Sequence, residues 1–278
     1  LTRMAGPDVG LVTNAGPAHL ERLGSIEGVA RTKGELFASM GSDDVAVINR
    51  DDAFFEYWAG LCSRSRRITF GQSDRADVRL LCEGQNEIVS TPSGSFGLEL
   101  ALSGQHNRMN ALAATAGALA LNVGTEAIAA GLATVENLPG RLSEREMNGG
   151  WRLIDDSYNA NPASLYAGLQ VLASHAGERW LALGEMAELG EQSNKLHREL
   201  GRAARDLGIA RVFATGPHAE SVADAFGPGG ETFADMHALV ERMQDLLQPD
   251  VVCLVKGSRS SRMERLVDLL GSVEVSPC

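Results

Sequence analysis

The sequence predicts an α/β protein of two domains. A chain of 278 residues is long enough for two domains with packed cores. From Trp151 onward, short apolar runs typical of strands alternate with helical patterns, which indicates a parallel sheet covered by helices. Leu138-Pro139-Gly140-Arg141 separates two regions of different composition. We therefore predict a first domain over residues 1–138 and a second over residues 139–278.

Composition excludes several classes of function. Hydrophobic residues make up 44% of the chain and charged residues 22%, as in soluble globular proteins. A net charge of -11 argues against a nucleic-acid surface, and no apolar run is long enough for a membrane span. The 4 cysteines lack the spacing of a metal site or a disulfide framework, which is typical of a reduced cytoplasm.

The first domain opens with a strand, a loop and a helix. Residues 9–13 predict a short buried strand, and Ser25 is a good N-cap for a helix that ends near Met40. Lys33 occupies a position in the apolar stripe of that helix. A desolvated lysine needs a partner or loses its charge, and a lysine of lowered pKa is reactive. Alternatively, Lys33 reaches water and His19 is an ordinary loop residue.

In the rest of the first domain, the sequence pattern predicts a strand over 45–49 and a helix over 51–61. Short β-type runs follow from 67 to 104. We interpret these runs as an antiparallel appendage without catalytic residues. The next helix begins near Asn107, which either caps it or binds a ligand, and Gly124 ends it.

In the second domain, two loops at predicted strand ends carry polar residues, and ligands bind at the carboxyl ends of such sheets. The first, residues 155–162, is Asp-Asp-Ser-Tyr-Asn-Ala-Asn-Pro, whose last two residues suit a helix start. The second begins with Lys256 and combines glycine, hydroxyls and a helix N-terminus, which favours an anion site. An ordinary turn is the alternative for this second loop. The predicted strands and helices of this domain are 151–154, 163–174, 180–183, 194–207, 212–214, 218–226, 236–247, 251–255 and 262–270.

Thr-Asn-Ala-Gly-Pro-Ala-His-Leu-Glu at 13–21, followed by Thr-Lys-Gly-Glu-Leu-Phe at 32–37, resembles the central-domain motif of the Mur ligases. In that family the matching lysine is carbamylated and the matching histidine binds magnesium. The resemblance therefore implies catalytic and metal-binding roles for Lys33 and His19. A carbamate turns a cation into an anionic oxygen donor, the ligand type that Mg²⁺ prefers.

Other segments resemble the family's nucleotide-binding residues. Gly-x-His-Asn-x-x-Asn at 104–110 implies that Asn107 binds adenine, since an amide can donate to N7 and accept from the N6 amine. Pro-Gly-Arg implies that Arg141 contacts the nucleotide, although a solvated linker arginine is the alternative. The loop at 155–162 implies that Asp156 reaches the ribose.

The resemblance also implies residues on the substrate side. The string at 155–162 is typical of the family member that uses D-alanyl-D-alanine, with Tyr158 and Asn159 near the substrate. The string Lys-Gly-Ser-Arg at 256–259 implies that Lys256 is a catalytic residue. It also implies that Lys256 and Ser258 face the dipeptide or the new peptide bond. Residues 184–197 would border the dipeptide pocket.

Taken as a whole, the resemblance implies part of a central ATP-binding domain followed by a Rossmann-like ligase domain. The expected activity is an ATP-dependent peptide ligase that joins D-alanyl-D-alanine to UDP-N-acetylmuramoyl-tripeptide through an acyl phosphate. Its cofactors would be ATP and Mg²⁺, and it would act as a monomer in the bacterial cytoplasm, in cell-wall synthesis. The alternatives are a Mur ligase that adds a single amino acid and a non-catalytic nucleotide-binding fragment.

A phosphate loop of the form Gly-x-x-x-x-Gly-Lys-Ser/Thr is absent from the sequence. In the family this loop and a UDP-binding N-terminal domain precede the matching region. We therefore expect an incomplete portion of a ligase that is inactive by itself.

Overall fold

The structure, a computed structural model, describes residues 2–17, 20–84, 86–102, 104–136 and 138–271. The chain divides into two compact units. The first comprises residues 1–16 and 23–136, and the second comprises residues 17–22 and 137–278. The division after residue 136 lies close to the predicted boundary, but residues 17–22 were not predicted to belong to the second unit. In this segment the backbone N–H of Glu21 donates to the carbonyl of Glu188 at 3.1 Å.

The first unit contains a six-stranded sheet in the order β1-β2-β3-β4-β5-β6. Its strands are β1 Val9–Val12, β2 Val45–Asn49, β3 Arg66–Gly71, β4 Val78–Glu83, β5 Asn86–Thr91 and β6 Gly94–Gly97. Neighbouring strands are parallel from β1 to β4 and antiparallel from β4 to β6. The predicted antiparallel appendage is therefore wrong for β3, which pairs in parallel with β2 and continues the main sheet.

Helices cover both faces of this first sheet. The helices of the first unit are α1 Thr2–Ala5, α3 Ile26–Ala38, α4 Phe55–Leu61, α5 Gln105–Ala120 and α6 Thr125–Ala133, while α2 Leu20–Leu23 belongs mostly to the segment 17–22 of the second unit. Along β2, Ala46 and Ile48 pack with α3 and α4, while Val45 and Val47 pack with α5. This alternation follows from the period of two in a strand. The Ser25 hydroxyl accepts the N–H of Gly28 at 3.2 Å, which confirms the predicted cap.

The second unit contains a six-stranded sheet in the order β11-β10-β9-β12-β8-β7. Its strands are β7 Ser143–Glu146, β8 Arg152–Asp156, β9 Glu178–Leu183, β10 Arg211–Thr215, β11 Gly230–Phe233 and β12 Val251–Lys256. All pairings are parallel except that of β7 with β8. Strands β7 and β11 were not predicted, because Ser-Glu-Arg-Glu and Gly-Glu-Thr-Phe lack an apolar pattern.

Helices also cover both faces of the second sheet. They are α7 Pro162–Ala173, α8 Ser193–Asp206, α9 Ala219–Phe226, α10 Met236–Leu246 and α11 Glu264–Gly271. Leu181 faces the cluster that includes α7, α8 and α9, whereas Trp180 faces α10 and α11. The predicted α/β class with a parallel second sheet is confirmed. Among the residues described, no helix has the length and apolarity needed to cross a membrane.

Candidate active site

Three loops meet at the carboxyl edge of the second sheet. Strands β8, β12 and β9 are neighbours, and Lys256 at the end of β12 lies opposite Asp156 of β8 and Leu183 of β9. The loops that follow these strands are the three segments singled out in the sequence of this domain. Parallel strands thus bring together residues that are far apart in the chain, at the edge where such sheets bind ligands.

A buried ion pair joins two of these loops. Lys256 is 2% exposed, and its ammonium donates to the carboxylate of Asp156 and, at 3.0 Å, to the carbonyl of Asn159. Burial lowers the pKa of Lys256; Asp156 opposes this effect and Arg141 adds to it. The ammonium is therefore directed at the loop after β8. Its predicted role beside the dipeptide stays a prediction.

The two adjacent carboxylates at the end of β8 have different partners. Asp155 accepts hydrogen bonds from Arg145 at 3.1 Å, from the Ser157 backbone at 3.2 Å and from the Ser157 hydroxyl at 2.6 Å. Asp156 faces Lys256 instead. Successive residues of a strand point to opposite faces, so the pair separates into two roles. Asp155 shapes the turn, which leaves Asp156 as the carboxylate of the site.

Arg141 and Tyr158 pack together on the exposed side of this edge. The Arg141 guanidinium lies 4.4 Å from the centroid of the Tyr158 ring, and that of Arg259 lies 5.9 Å away. The Tyr158 N–H donates to the carbonyl of Gly140 at 3.0 Å. Gly140 has φ +76°, a conformation that favours glycine. The Pro-Gly-Arg turn thus holds a cation over the Tyr158 ring.

The loop after β12 is tied to the loop after β9. Ser258 is 3% exposed, and its N–H donates to the carbonyl of Glu185 at 2.8 Å. Its hydroxyl lies 2.9 Å from that of Ser260 and 3.2 Å from that of Ser261. A short 3-10 turn over Arg259–Ser261 follows, and α11 starts only at Glu264, later than predicted. The Ser258 hydroxyl is therefore held within its own loop.

Lys33 lies in the first unit, on the helix where the sequence placed it. It is half-buried, and its ammonium donates to the carbonyl of Asn14 at 2.8 Å. Burial lowers the pKa of Lys33, and the carboxylate of Asp52 opposes this effect. These contacts favour the packed lysine over one that simply extends into water. His19 lies outside the described residues.

Two residues that were not predicted from the sequence as site residues hold the loop beside Lys33. The Asn49 amide donates to the carbonyl of Thr13 at 2.8 Å. The Asp52 carboxylate accepts the N–H of Ala15, also at 2.8 Å. Asn49 is the last residue of β2 and Asp52 follows that strand, just as Asp156 is the last residue of β8. The signal that could have found them is the polar run Asn-Arg-Asp-Asp at the end of a buried strand.

Asn107 lies in the first turn of α5. The N-cap of this helix is Gly104, so the interpretation of Asn107 as a cap is wrong. The Asn107 side chain is half-buried, and its Oδ1 lies 3.5 Å from the amide nitrogen of Asn110. Its predicted contact with adenine stays a prediction.

The described residues contain no cluster of three or more His, Cys, Asp or Glu side chains that could hold a metal ion. His19 lies outside the residues searched, so the predicted magnesium ligands Lys33 and His19 stay a prediction. The half-buried Lys33, with a pKa lowered by burial, fits the carbamate chemistry, because only a neutral amine reacts with CO₂.

Comparisons with known proteins identify the class to which the chain belongs. The Mur ligase middle domain matches residues 1–118, and the family described as Mur ligase, glutamate ligase domain, matches residues 140–259. The chain belongs to the Mur ligase family.

Two of its relatives share the name UDP-N-acetylmuramoyl-tripeptide--D-alanyl-D-alanine ligase. The protein from Escherichia coli K12 is 39% identical, over 95% of this chain and 60% of its own length. That from Haemophilus influenzae is 33% identical, over 96% of this chain and 60% of its own length. The crystal structure of MurF from Acinetobacter baumannii matches with a TM-score of 0.87 and 31% identity, over 97% of this chain and 61% of that one. The chain thus spans about 60% of the length of these curated relatives.

Proposed function

We propose that the chain provides the middle and C-terminal domains of an ATP-dependent ligase that joins D-alanyl-D-alanine to UDP-N-acetylmuramoyl-tripeptide. The observation that supports this most directly is the junction of three loops at the carboxyl edge of the second sheet. There the buried pair of Lys256 and Asp156 lies within the strings that resemble this branch of the family. The proposed protein acts as a monomer in the bacterial cytoplasm, in peptidoglycan precursor synthesis.

The proposed reaction has two steps. The terminal carboxylate of the tripeptide attacks the γ-phosphorus of ATP, which releases ADP and forms an acyl phosphate. The amine of the dipeptide then attacks the acyl carbon, so a C–N bond forms, phosphate leaves and the amine loses a proton. The protein's contribution to such chemistry is mainly to position the reactants and to neutralise charge.

The chain's own residues have the following proposed parts in nucleotide binding. Asn107 contacts adenine, Arg141 contacts the nucleotide, and Asp156 contacts the ribose with its carboxylate oriented by Lys256. The ion pair places the Asp156 carboxylate in one orientation, so it is organised before the nucleotide arrives. Tyr158, Asn159 and Ser258 lie on the substrate side.

Magnesium bound near Lys33 would neutralise charge on the phosphates of ATP. We propose that carbamylated Lys33 and His19 hold it. The carbamate nitrogen keeps one hydrogen, so it can still donate to the carbonyl of Asn14, which accepts from Lys33 at 2.8 Å. Asn49 and Asp52 keep the surrounding loop in place.

The proposed function is tested with the full-length product of the gene. ADP release should require both UDP-N-acetylmuramoyl-tripeptide and D-alanyl-D-alanine. Release supported by a single amino acid would instead identify a ligase of another branch. Absence of substrate-dependent ADP release would leave a non-catalytic nucleotide-binding protein.

Calorimetry with Mg·ATP on the same protein tests the site residues. Asn107→Ala should weaken binding by roughly tenfold or more, because an amide that contacts two adenine positions contributes about 1–3 kcal/mol. The melting temperature should stay the same, since Gly104 and not Asn107 caps α5. Unchanged ATP affinity would remove Asn107 from the site.

A further inference from the structure

His197, on α8, has both ring nitrogens engaged in the interior of the second unit. It is 1% exposed. The backbone N–H of Met186 donates to Nε2 at 3.1 Å, and Nδ1 lies 2.7 Å from the carbonyl of Ser193. A backbone N–H can only donate, so Nε2 must be without a proton, and Nδ1 carries the hydrogen given to Ser193. The geometry therefore requires a neutral imidazole in one tautomer.

The surroundings of His197 keep it neutral. Burial lowers the pKa of His197, although the bond to the Ser193 carbonyl raises it. His218, which precedes α9, also lowers it, and the two ring centroids lie 4.6 Å apart. Protonation would place a hydrogen on Nε2 and break the bond to Met186.

His197 contacts the segment of residues 184–186, and hydrogen bonds hold the backbone of each of these residues. The Gly184 N–H donates to the carbonyl of Lys256 at 2.8 Å. The Glu185 carbonyl accepts the N–H of Ser258 at 2.8 Å and the hydroxyl of Ser261 at 3.3 Å. Met186 is bound by His197 and is itself fully buried. The backbone of this loop is therefore rigid at the carboxyl end of β9.

On this rigid backbone, Glu185 is the residue whose side chain remains half-exposed. Its Cβ lies beside Gly216, just past the end of β10. A Cβ added to Gly216 would be 3.3 Å from the Cβ of Glu185. Within the described part of the chain, no hydrogen bond or ion pair engages its carboxylate. Elsewhere at this edge, the exposed guanidiniums of Arg141 and Arg259 pack against Tyr158, and Arg259 also pairs with Glu264 at 3.3 Å. Glu185 thus places an accessible carboxylate, without a partner among the described residues, on the loop that follows β9.

We propose that Glu185 binds the ammonium group of the incoming dipeptide and that His197 is a positioning residue that holds Glu185 in place through Met186. The proposal rests on the proposed ligase function. A carboxylate is a strong hydrogen-bond acceptor for an ammonium group, and one on a fixed backbone binds it with little loss of entropy.

The first arm of the test measures dipeptide binding in the full-length protein. Glu185→Gln should raise KM for D-alanyl-D-alanine by about tenfold or more, because a charge-assisted bond becomes a neutral one. KM for ATP should stay the same. An unchanged KM for the dipeptide would overturn the assignment of Glu185.

The second arm separates positioning from folding. His197→Leu should speed amide hydrogen exchange at Met186 and raise KM for the dipeptide, whereas His197→Gln, which can still accept the Met186 N–H, should restore much of both. His175→Leu is the matched control, because His175 also uses both ring nitrogens, with Val171 and Glu144, away from this loop. Unchanged exchange at Met186 in His197→Leu would overturn the role of His197.

The exchange measurement does not depend on catalysis. If the wild-type protein shows no ligase activity, the proposed function fails, yet the exchange data still decide whether His197 fixes the loop. If exchange rises in His197→Leu while KM for the dipeptide is unchanged, the loop does not position a dipeptide contact and the proposal is wrong.

Discussion

Lys256 places a positive charge where water hardly reaches, with Asp156 as its ionic partner. Removing two charges from water is costly, and their attraction in the interior offsets that cost only when the geometry is good. The two residues lie 100 positions apart in the chain, so the pair forms only when β8 and β12 are side by side. It therefore links the correct strand order to the geometry of the candidate site.

Replacing one residue of this pair should lower the free energy of unfolding more than replacing both. We expect Lys256→Met to lower the free energy of unfolding by about 3–5 kcal/mol, because it leaves the Asp156 carboxylate buried without its cation. The double variant Lys256→Met, Asp156→Leu should recover part of that loss. Urea unfolding followed by circular dichroism measures both. A loss below about 1 kcal/mol in Lys256→Met would show that the carboxylate reaches water.

At the scale of elements, Gly257, directly after β12, lies very close to Ser261 and Met263 of the following turn. A Cβ added to Gly257 would lie 2.5 Å from Cγ of Met263 and 2.7 Å from Oγ of Ser261. Met263 belongs to the apolar core, so it cannot move aside easily. Glycine is therefore required here by space, and the close approach brings the Ser258 loop over the end of β9.

Gly257→Ala should destabilise the second unit by about 1–3 kcal/mol, the usual cost of overpacking. The matched control is Gly131→Ala in α6, where an added Cβ meets no atom within 4 Å. That change should stabilise the protein by up to about 1 kcal/mol, since alanine favours helices. Thermal unfolding of both variants gives the comparison. A melting temperature that is unchanged or raised in Gly257→Ala would show that the neighbouring atoms make room for the added methyl group.

Most of the elements could be predicted from the sequence because their signals are local. Apolar spacing and caps such as Ser25 and Asn161 identified the longer helices, and both caps are present. Strand pairing is not local, which explains why β3 was assigned to an appendage and why the polar strands β7 and β11 were missed.

The candidate site shows the same limit. Polar residues at strand ends, such as Asp156 and Lys256, could be predicted because they follow clear apolar runs. The bond from Met186 to His197 could not, because it depends on how the loop after β9 folds against α8. The same holds for the contacts of Asn49 and Asp52, whose partners lie 36 and 37 positions away.

At the scale of the whole molecule, each unit has hydrophobic clusters of its own. The two largest clusters of the second unit lie on opposite faces of its sheet and involve α7 to α9 and α10 to α11. A unit with a complete core can fold by itself. Residues 17–22 also belong to this unit, so no single cut divides the chain into the two units.

Residues 138–271 expressed alone should nevertheless fold, because the sheet and both clusters lie within them. We expect native circular dichroism and one cooperative urea transition. Adding back residues 17–22 as a peptide should change the midpoint little, since Glu21 contributes one backbone hydrogen bond to Glu188. A non-cooperative transition would show that the second unit depends on the first.

The place of β12 between β9 and β8 also has a consequence during protein synthesis. β9 is complete at Leu183, whereas β12 starts only at Val251, so the ribosome exposes β8 and β9 well before the strand that must lie between them. Until then, two apolar strand edges have no partner and can pair with other nascent chains. The nascent second unit is therefore exposed to wrong strand pairing until Val251–Lys256 emerges and joins the two halves of the sheet.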